Sequence, residues 1–370
     1  MSSKVNPALA DVILDSLNDG LYVCDPERTI LYWSKSAERI TGWTEEQVVG
    51  HKCSDNILVH IDKDGRKLCG EEFCPLHRSM RTDTRSGAPL IVFGQASSGT
   101  RIPMAVSVAP IHDETGQVIG GVESFCDYSE TYRNLKRARR IQTLAMDHPL
   151  PKDDRIGFTT FYLPHDMIGG DYFAICQLDA DHFGFILADV MGHGVTAALY
   201  TMHLCALWER FRPTLIQPEE FAGILNRELA KVVKDESFAT ALCGVIDAAE
   251  KTVRMTSAGG PPLLHFHADG ECEVREIDGW PFGMETNAGY ESTEFHYDSG
   301  DCLLLFSDGT IEIQTASGDQ LEAEGLINIL KSQGFPHHPI KFEALQEALL
   351  SASNKIRLDD DLTFLEIRFS

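Results

Sequence analysis

The stretch at residues 303–312, LLLFSDGTIE, places an apolar run directly before an aspartate. Residues 303–306 form the short apolar run expected of a strand that is covered on both faces. Ser307, Asp308 and Gly309 follow without a polar transition. A tight turn with a positive φ explains the glycine and tolerates the aspartate, so a strand that ends in a turn is one interpretation.

Three further stretches carry aspartates at the edges of apolar, strand-like segments. They are HDMIGGDYFAI with Asp171, FGFILADVMGHGVTAALY with Asp189, and RLDDDLTFLEIRF with Asp359, Asp360 and Asp361. Each aspartate alone is explained as a turn former or a helix N-cap. An unpaired carboxylate near a core is costly, however, and converging carboxylates repel one another unless a cation neutralises them. The set therefore predicts a shared site for Mg²⁺ or Mn²⁺, which prefer oxygen ligands.

Composition limits the class of protein. The chain has 370 residues, 43% of them hydrophobic and 24% charged, which predicts two globular domains of roughly 100–200 residues each. Its net charge of −24 argues against nucleic acid and membrane surfaces as partners, since both are anionic. The first residues do not have the basic-then-apolar order of a secretory signal. Ten cysteines spread along the chain indicate free thiols in a reducing cytoplasm.

The first third of the chain has the pattern of a small α+β domain. LYVCD and TILYWS read as strands, SAERITG and TEEQVVG as helical turns that end at glycines, and three more strands follow up to residue 130. This order, with the pieces YWSKSAERITGWTEEQVVG and RIPMAVSVAPIHDETGQVIGGVESFCD, resembles a PAS sensor domain over residues 9–130. PAS domains sense ligands, cofactors or partners, and the fold alone does not say which.

An insert in this region is rich in metal-binding residue types. Cys53, His60, Cys69, Cys74 and His77 lie within 25 residues, and thiolate and imidazole are the natural ligands of zinc or iron. The spacing is not the tight C-x2-C of common zinc modules. Three interpretations stay open: half-buried structural thiols, an additional metal or iron-containing cofactor of the sensor, and a redox-switching pair of thiols.

A helical segment separates the two halves. Residues 129–146 have a helical period, contain the basic run RNLKRARR and end in a proline-containing stretch. The predicted organisation is a sensor domain at residues 9–130, a helical linker at 131–155 and a second domain at 156–370. The basic run is either a solvated helix face or part of a signalling helix that transmits a change between domains and pairs with a second copy, giving a homodimer.

The motifs of the second domain occur together in one order: IGGDYF, ADVMGHGVTAAL, TALCGVID, SAGGPPLL, FSDGTIE and DDLTFLEI. This set resembles the metal-dependent serine/threonine phosphatases of the protein phosphatase 2C type, in their bacterial sporulation and stress-response (SpoIIE) branch. The resemblance implies an α+β chain in which the PAS fold, an antiparallel five-stranded sheet with helices, is joined by the helical linker to an αββα sandwich.

The resemblance also implies a set of site residues and two bound Mn²⁺ or Mg²⁺ ions. Asp171 would bind one ion, and Asp189 would bridge both with help from the Val190 carbonyl. Asp308 and Asp360 would bind the other ion, and Asp189 and Asp308 are the central catalytic candidates. Asp308 would then stop its strand because the end of that strand is the floor of a metal site.

Two further residues have expected supporting roles. Asp361 stands beside a ligand position and is treated as secondary, and His193 of GHG either supports the metal ligands from outside the site or donates a proton to the leaving oxygen. Two departures from the family pattern are AGGPP at residues 258–262, where AGHPP is frequent, and the lack of an arginine shortly before IGGD. The second departure puts phosphate affinity in doubt rather than metal binding.

The implied reaction is hydrolysis of phosphoserine or phosphothreonine in a protein by a water that two metal ions activate. The resemblance points to a phosphorylated STAS-type antagonist of an anti-sigma factor as the substrate, under control of the PAS domain in bacterial stress signalling. Two alternatives remain: a catalytically silent binding module with the phosphatase fold, and a metal or redox sensor whose main role lies in the PAS half.

Overall fold

The computed structural model describes residues 12–14, 16–70, 73–87, 89–192, 194–232, 237–315, 318–353 and 358–370. The chain divides into two compact units, Met1–Leu135 and Lys136–Ser370. In the described parts, no helix has the length and apolar character needed to cross a membrane.

The first unit is built around one antiparallel sheet of five strands in the order β2-β1-β5-β4-β3. Its strands are β1 (Gly20–Cys24), β2 (Ile30–Trp33), β3 (Leu90–Gln95), β4 (Arg101–His112) and β5 (Val118–Asp127). Alternate residues of β1 are buried, and Tyr22 and Cys24 point into a core that also contains Trp33 and Phe125. Two strands, short helices and three strands were the predicted order, and the PAS-like α+β fold is confirmed.

Three short helices connect β2 to β3: α1 (Lys35–Thr41), α2 (Glu45–Val48) and α3 (Pro75–Thr82). The hydroxyl of Ser34 caps α1 by accepting a hydrogen bond from the Ala37 N–H. The same helix ends at Gly42, whose φ of 74° is favourable only for a residue without a Cβ. Helix α3 starts with a proline, which suits the first helical position.

Helix α4 (Ser129–Met146) begins in the first unit and ends in the second. Most of its side chains are exposed, in agreement with its basic sequence, but Gln142 and Met146 are buried. Met146 joins the apolar core of the second unit.

The second unit contains two five-stranded sheets in the orders β13-β10-β9-β8-β7 and β12-β11-β14-β15-β6. The strands are β6 (Ile156–Leu163), β7 (Asp171–Gln177), β8 (His182–Val190), β9 (Ala239–Asp247), β10 (Thr252–Ala258), β11 (Leu263–Phe266), β12 (Cys272–Arg275), β13 (Thr293–His296), β14 (Cys302–Phe306) and β15 (Leu362–Phe369). The helices are α5 (Val195–Phe211), α6 (Pro218–Leu229), α7 (Glu322–Ser332) and α8 (Phe342–Ser353).

Three apolar cores define four layers. One core joins the first sheet to α5 and α6 through residues such as Tyr172 and Trp208. A second lies between the sheets and includes Phe185 and Leu303. The third joins the second sheet to α7 and α8. All five residues of β14 are buried because alternate side chains enter the second and third cores, which explains its continuous apolar run and confirms the predicted αββα sandwich.

Candidate metal centre

The four predicted carboxylate ligands come from two pairs of neighbouring strands. Asp171 begins β7 and Asp189 lies near the end of β8, and the antiparallel register places them directly opposite each other. In the second sheet, Asp308 follows β14 and Asp360 precedes β15, whose register pairs Phe306 with Phe364. Antiparallel pairing brings the end of one strand to the start of its neighbour, so each pair of aspartates shares one edge.

The two pairs of carboxylates meet. Asp189 lies opposite Asp171 in the strand register and is close enough to Asp171, Asp308 and Asp360 for electrostatic repulsion. Burial, reinforced by the charges of Asp171, Asp308 and Asp360, raises the pKa of Asp189 to about 10. Burial and the neighbouring carboxylates likewise raise the pKa values of Asp171, Asp308 and Asp360. Among the described residues, no lysine or arginine is a main cause of these pKa shifts, so the cluster gathers negative charge without such a cation beside it.

The surroundings of Asp171 fit a cation. Asp171 is fully buried, and within the described residues its Oδ1 atom has no hydrogen-bond partner, whereas Oδ2 accepts a short hydrogen bond from Thr363. A Cβ atom at Gly170 would lie 2.8 Å from the carbonyl oxygen of Val190 and 3.2 Å from Oδ1 of Asp189. The missing side chain thus keeps this carbonyl and this carboxylate open to a shared ligand, and their oxygen donors suit Mg²⁺ or Mn²⁺.

Asp361 holds the loop that carries Asp171. Its Oδ1 accepts a hydrogen bond from the His165 N–H at 2.6 Å, and its Oδ2 accepts from the N–H groups of Gly170 at 2.7 Å and Asp171 at 3.3 Å. The side chain is 5% exposed. The structure thus gives Asp361 a clear geometric role beside the ligand position, since one carboxylate fixes two backbone N–H groups of the IGGD loop and one just before it.

Ser307 and Thr363 connect the two sheet edges. The Ser307 hydroxyl accepts a hydrogen bond from the Thr363 N–H at 3.0 Å, and the Ser307 N–H donates to the Thr363 carbonyl at 3.1 Å. Thr363 in turn donates its hydroxyl to Asp171. The polar residues that flank the SDG and DDLT aspartates therefore tie the second sheet to the first carboxylate pair.

Gln142 of α4 contacts the same loop from the other side. Its Nε2 donates to the carbonyl of Gly169 at 2.8 Å, and its Oε1 accepts from the Gly169 N–H at 3.3 Å. The Thr201 hydroxyl of α5 lies 3.3 Å from both the Gln142 amide nitrogen and the Gly169 carbonyl oxygen. The side chain that α4 buries most deeply is thus bonded to the residue two positions before Asp171.

The GHG turn leads from β8 into α5. Gly192 and Gly194 have φ values of 91° and 82°, which glycine adopts without strain. His193, which the sequence predicts to be a supporting residue, lies outside the described residues.

The predicted sensor residues gather only in part. Cys53 and Cys74 are 4% and 5% exposed in the core of the first unit, whereas Cys69 is half-buried. The sulfur of Cys69 accepts a hydrogen bond from the backbone N–H of His60 at 3.1 Å. The His60 imidazole faces Glu123 of β5, a residue that the sequence analysis did not select.

A second cluster of metal-binding residue types lies at the other end of β14. Within the described residues, one group of three such donors lies within 4.8 Å of one another: His265, His267 and Asp301. Asp301 already accepts hydrogen bonds from the backbone N–H groups of Ala268 and Asp298, and from His265 at 2.9 Å. The Arg275 guanidinium contacts the other ring nitrogen of His265 at 3.4 Å. Asp301 thus already accepts several hydrogen bonds, and the Arg275 cation lies beside His265, so this cluster has a structural role.

Family models match both halves of the chain. The model described as Stage II sporulation protein E (SpoIIE) matches residues 179–370, just over half of the chain. The model described as PAS fold matches residues 14–133.

Two curated relatives are phosphatases of Bacillus subtilis. Phosphoserine phosphatase RsbU is 22% identical over 321 residues, which cover 85% of this chain and 92% of RsbU. Phosphoserine phosphatase RsbP is 29% identical over 186 residues, which cover 49% of this chain and 46% of RsbP. The matched region thus spans less than half of the length of RsbP.

Solved structures support the fold. The SiaA-PP2C domain of Pseudomonas aeruginosa has a TM-score of 0.57 and 20% identity, covering 65% of this chain and 97% of that domain. The phosphatase domain of SpoIIE from Bacillus subtilis, with a fragment of its regulatory domain, has a TM-score of 0.52 and 16% identity, covering 77% of this chain and 81% of that one.

Proposed function

The chain belongs to the stage II sporulation protein E family, and from this premise we propose that it is a metal-dependent serine/threonine phosphoprotein phosphatase. The observation that carries the proposal is the convergence of Asp171, Asp189, Asp308 and Asp360 from two sheets into one uncompensated cluster. Two relatives, RsbU and RsbP, are named phosphoserine phosphatases, which supports the same substrate chemistry.

Two divalent ions, Mn²⁺ or Mg²⁺, would be held by these four carboxylates and the Val190 carbonyl. When bound, the ions would supply an activated water and offset the charge of the phosphoryl oxygens. The chain itself positions the ligands. Asp189 lies close to both Asp171 and Asp308, Thr363 orients Asp171, and Asp361 fixes the IGGD loop. The carboxylates thus act as ligands, and none is required as a nucleophile.

Regulation would act through α4. The Gln142 amide bonds both the N–H and the C=O of Gly169, so a shift of α4 would move the loop that carries Asp171. Helix α4 starts two residues after the last strand of the PAS-like unit, which places the sensor and this contact on one continuous stretch of chain. Under this proposal, the position of α4 sets the affinity of the carboxylates for metal ions.

The proposed substrate is a phosphorylated STAS-type antagonist of an anti-sigma factor, as the resemblance to the SpoIIE branch of the phosphatases implies. The proposed site of action is the cytoplasm of a bacterial cell, which agrees with ten free thiols in the chain. A homodimer is proposed because Ile141 and Leu144 of α4 are 61% and 63% exposed, which leaves two large apolar side chains of the helix uncovered.

Release of phosphate from a phosphoserine-bearing STAS-domain protein, measured with the full chain and added Mn²⁺, tests the proposal. We expect phosphate release that requires metal and is abolished by chelation. A phosphotyrosine peptide should release no phosphate under the same conditions. Binding of the phosphoprotein without release, at saturating metal, would favour the alternative of a silent binding module.

A further inference from the structure

Two buried polar atoms in the first unit face each other without a hydrogen bond. His60 and Glu123 are 4% and 1% exposed, and their Nε2 and Oε1 atoms are 3.6 Å apart. In the described parts of the chain, neither atom has a hydrogen-bond partner. Buried polar groups are almost always paired in native proteins, so two facing exceptions require an explanation such as a bound ion.

The separation suits two ligands of one metal ion. A distance of 3.6 Å is too long for a direct hydrogen bond. Nitrogen and oxygen ligands bind Zn²⁺ at about 2.0–2.1 Å, and an angle of roughly 120° between two such bonds places the ligand atoms about 3.6 Å apart. Burial lowers the pKa of His60 to about 4, which keeps its imidazole neutral and able to bind a metal.

Thiols surround this pair. Cys53 and Cys74 belong to the same core as Tyr22, which pairs with Glu123 in the register of β1 and β5. Cys74 precedes the first residue of α3, and burial raises the pKa of its thiol above the ordinary value. A metal ion that binds such a thiol displaces its proton, so metal binding and deprotonation would occur together.

We propose that the interior of the first unit binds one divalent transition-metal ion of the Zn²⁺ or Fe²⁺ class through His60, Glu123 and the thiolate of Cys74, with Cys53 as the fourth donor. Thiolate ligation selects these ions over Mg²⁺ and Mn²⁺. The described residues of this unit contain no three donor atoms within 4.8 Å of one another. The imidazole nitrogen and the carboxylate oxygen are thus the two donors already close together, and a cysteine side chain would have to move toward them to complete the site.

The site would lie on the strand that leads to the proposed regulatory helix. Glu123 is in β5, which ends at Asp127, and α4 begins at Ser129. Metal binding would replace a buried, uncompensated carboxyl group on β5 with a ligated carboxylate. The proposal stands independently of the phosphatase activity, because it concerns metal binding alone.

Cobalt(II) titration of the reduced, metal-free full chain tests the site. Thiolate–Co²⁺ contacts give an intense near-ultraviolet absorption band, whereas the carboxylate centre of the second unit has only oxygen ligands and gives none. We expect the band to saturate at one Co²⁺ per chain, to be displaced by Zn²⁺ and to persist in excess Mg²⁺. Loss of phosphatase activity would leave this readout unchanged.

Variants identify the ligands. Cys74→Ser should abolish the band, and His60→Gln and Glu123→Gln should each weaken Co²⁺ binding at least roughly tenfold. Cys126→Ser, in the same strand as Glu123, is the matched control and should bind like the wild type. Circular dichroism checks that each variant is folded. If the cysteine variant unfolds, Glu123→Gln still tests the site, because glutamine has nearly the same shape as glutamate. Absence of the band, or a band that keeps its full affinity in both His60→Gln and Glu123→Gln, would overturn the proposal.

Discussion

Asp361 is the residue through which the last strand positions the first carboxylate pair. Its two oxygens accept hydrogen bonds from three backbone N–H groups, two of the IGGD loop and that of His165, so Asp361→Asn would turn an amide NH₂ group toward N–H donors. We expect the Mn²⁺ concentration for half-maximal p-nitrophenyl phosphate hydrolysis to rise roughly 10- to 100-fold. A titration of activity against Mn²⁺ measures this directly.

The neighbouring Asp359 provides the control, because its side chain is exposed. Asp359→Asn should leave the metal dependence within about twofold of the wild type, as expected for a surface substitution of small energetic effect. Equal metal dependence in Asp361→Asn and the wild type would show that the loop does not need this carboxylate.

Glu123 should make the metal-free first unit less stable as the pH rises. Burial raises its pKa to about 8, above the value of about 4.5 in the unfolded chain. Its protonated form is favoured by folding, so the full stability is present below pH 4.5 and is lost as the pH rises to 8. The partner His60, whose pKa is lowered to about 4, has the opposite effect and costs stability as the pH falls below about 6.5.

Hydrogen exchange of β1 and β5 measures this effect in the metal-free chain. Glu123→Gln should increase amide protection relative to the wild type, and the increase should grow between pH 5 and pH 8. An increase of equal size at pH 5 and pH 8 would show that ionisation of Glu123 does not destabilise the folded first unit.

Single residues were predictable where a motif fixes their chemistry. The positions of Asp171, Asp189, Asp308 and Asp360 at strand ends follow from their apolar flanks, and the structure brings all four together. Glu123 was not predictable, because it lies in VIGGVESFCD as an ordinary polar residue of a strand, and only the fold turns it toward His60. Ser307 precedes Asp308 and Thr363 lies two residues after Asp361, and this proximity is a signal that the sequence analysis did not use.

Among the elements, helix α4 carries the most specific contact for regulation. Gln142→Ala would leave the N–H and C=O of Gly169 without their side-chain partners, at a cost of about 1–3 kcal/mol for a buried polar group. We expect phosphatase activity of the full chain to fall by roughly tenfold, with a weaker response to Mn²⁺. Parallel assays at several Mn²⁺ concentrations separate a metal defect from a general loss.

Arg140 is the matched position for this test, since it lies on the same helix but is exposed. Arg140→Ala should retain nearly all of the activity. If Gln142→Ala and Arg140→Ala had the same activity and metal response, the contact with Gly169 would have no role in control.

The elements themselves were largely predictable from periodicity and caps. A helical period at residues 129–146 matches the bounds of α4, and glycine marks the end of α1. The buried Gln142 was part of the periodic face, but its polarity hid its importance. The pairing of β15 with β14 and with β6 joins residues far apart in sequence, so periodicity alone did not reveal it and the family resemblance supplied the layers.

For the whole molecule, the proposed dimer makes a prediction about mass. Ile141 and Leu144 are the exposed apolar residues near the end of α4. Light scattering should give twice the chain mass of 41.1 kDa for the wild type and a single-chain mass for Ile141→Asp/Leu144→Asp. The charged side chains would be buried without partners in a dimer, which disfavours association. A wild-type mass of one chain, or an unchanged mass in the double variant, would contradict pairing through α4.

The division into a PAS-like unit and an αββα unit was predictable because each has its own apolar pattern and its own motifs. The signal that the first unit detects was not, since the PAS fold accommodates many ligands and the cysteine and histidine spacing allows several interpretations. Because His60 and Glu123 lie close together in the core, metal binding is the first property of this unit to test.

The central claim is that two pairs of aspartates from two sheets form a metal-dependent hydrolytic centre. Hydrolysis of p-nitrophenyl phosphate by the full chain with Mn²⁺, compared with Asp189→Ala and Asp308→Ala, tests it most directly. We expect activity that requires added metal in the wild type and falls by at least roughly a hundredfold in both variants. Wild-type activity that persists in either variant, or an inactive wild type with metal bound at this site, would contradict it.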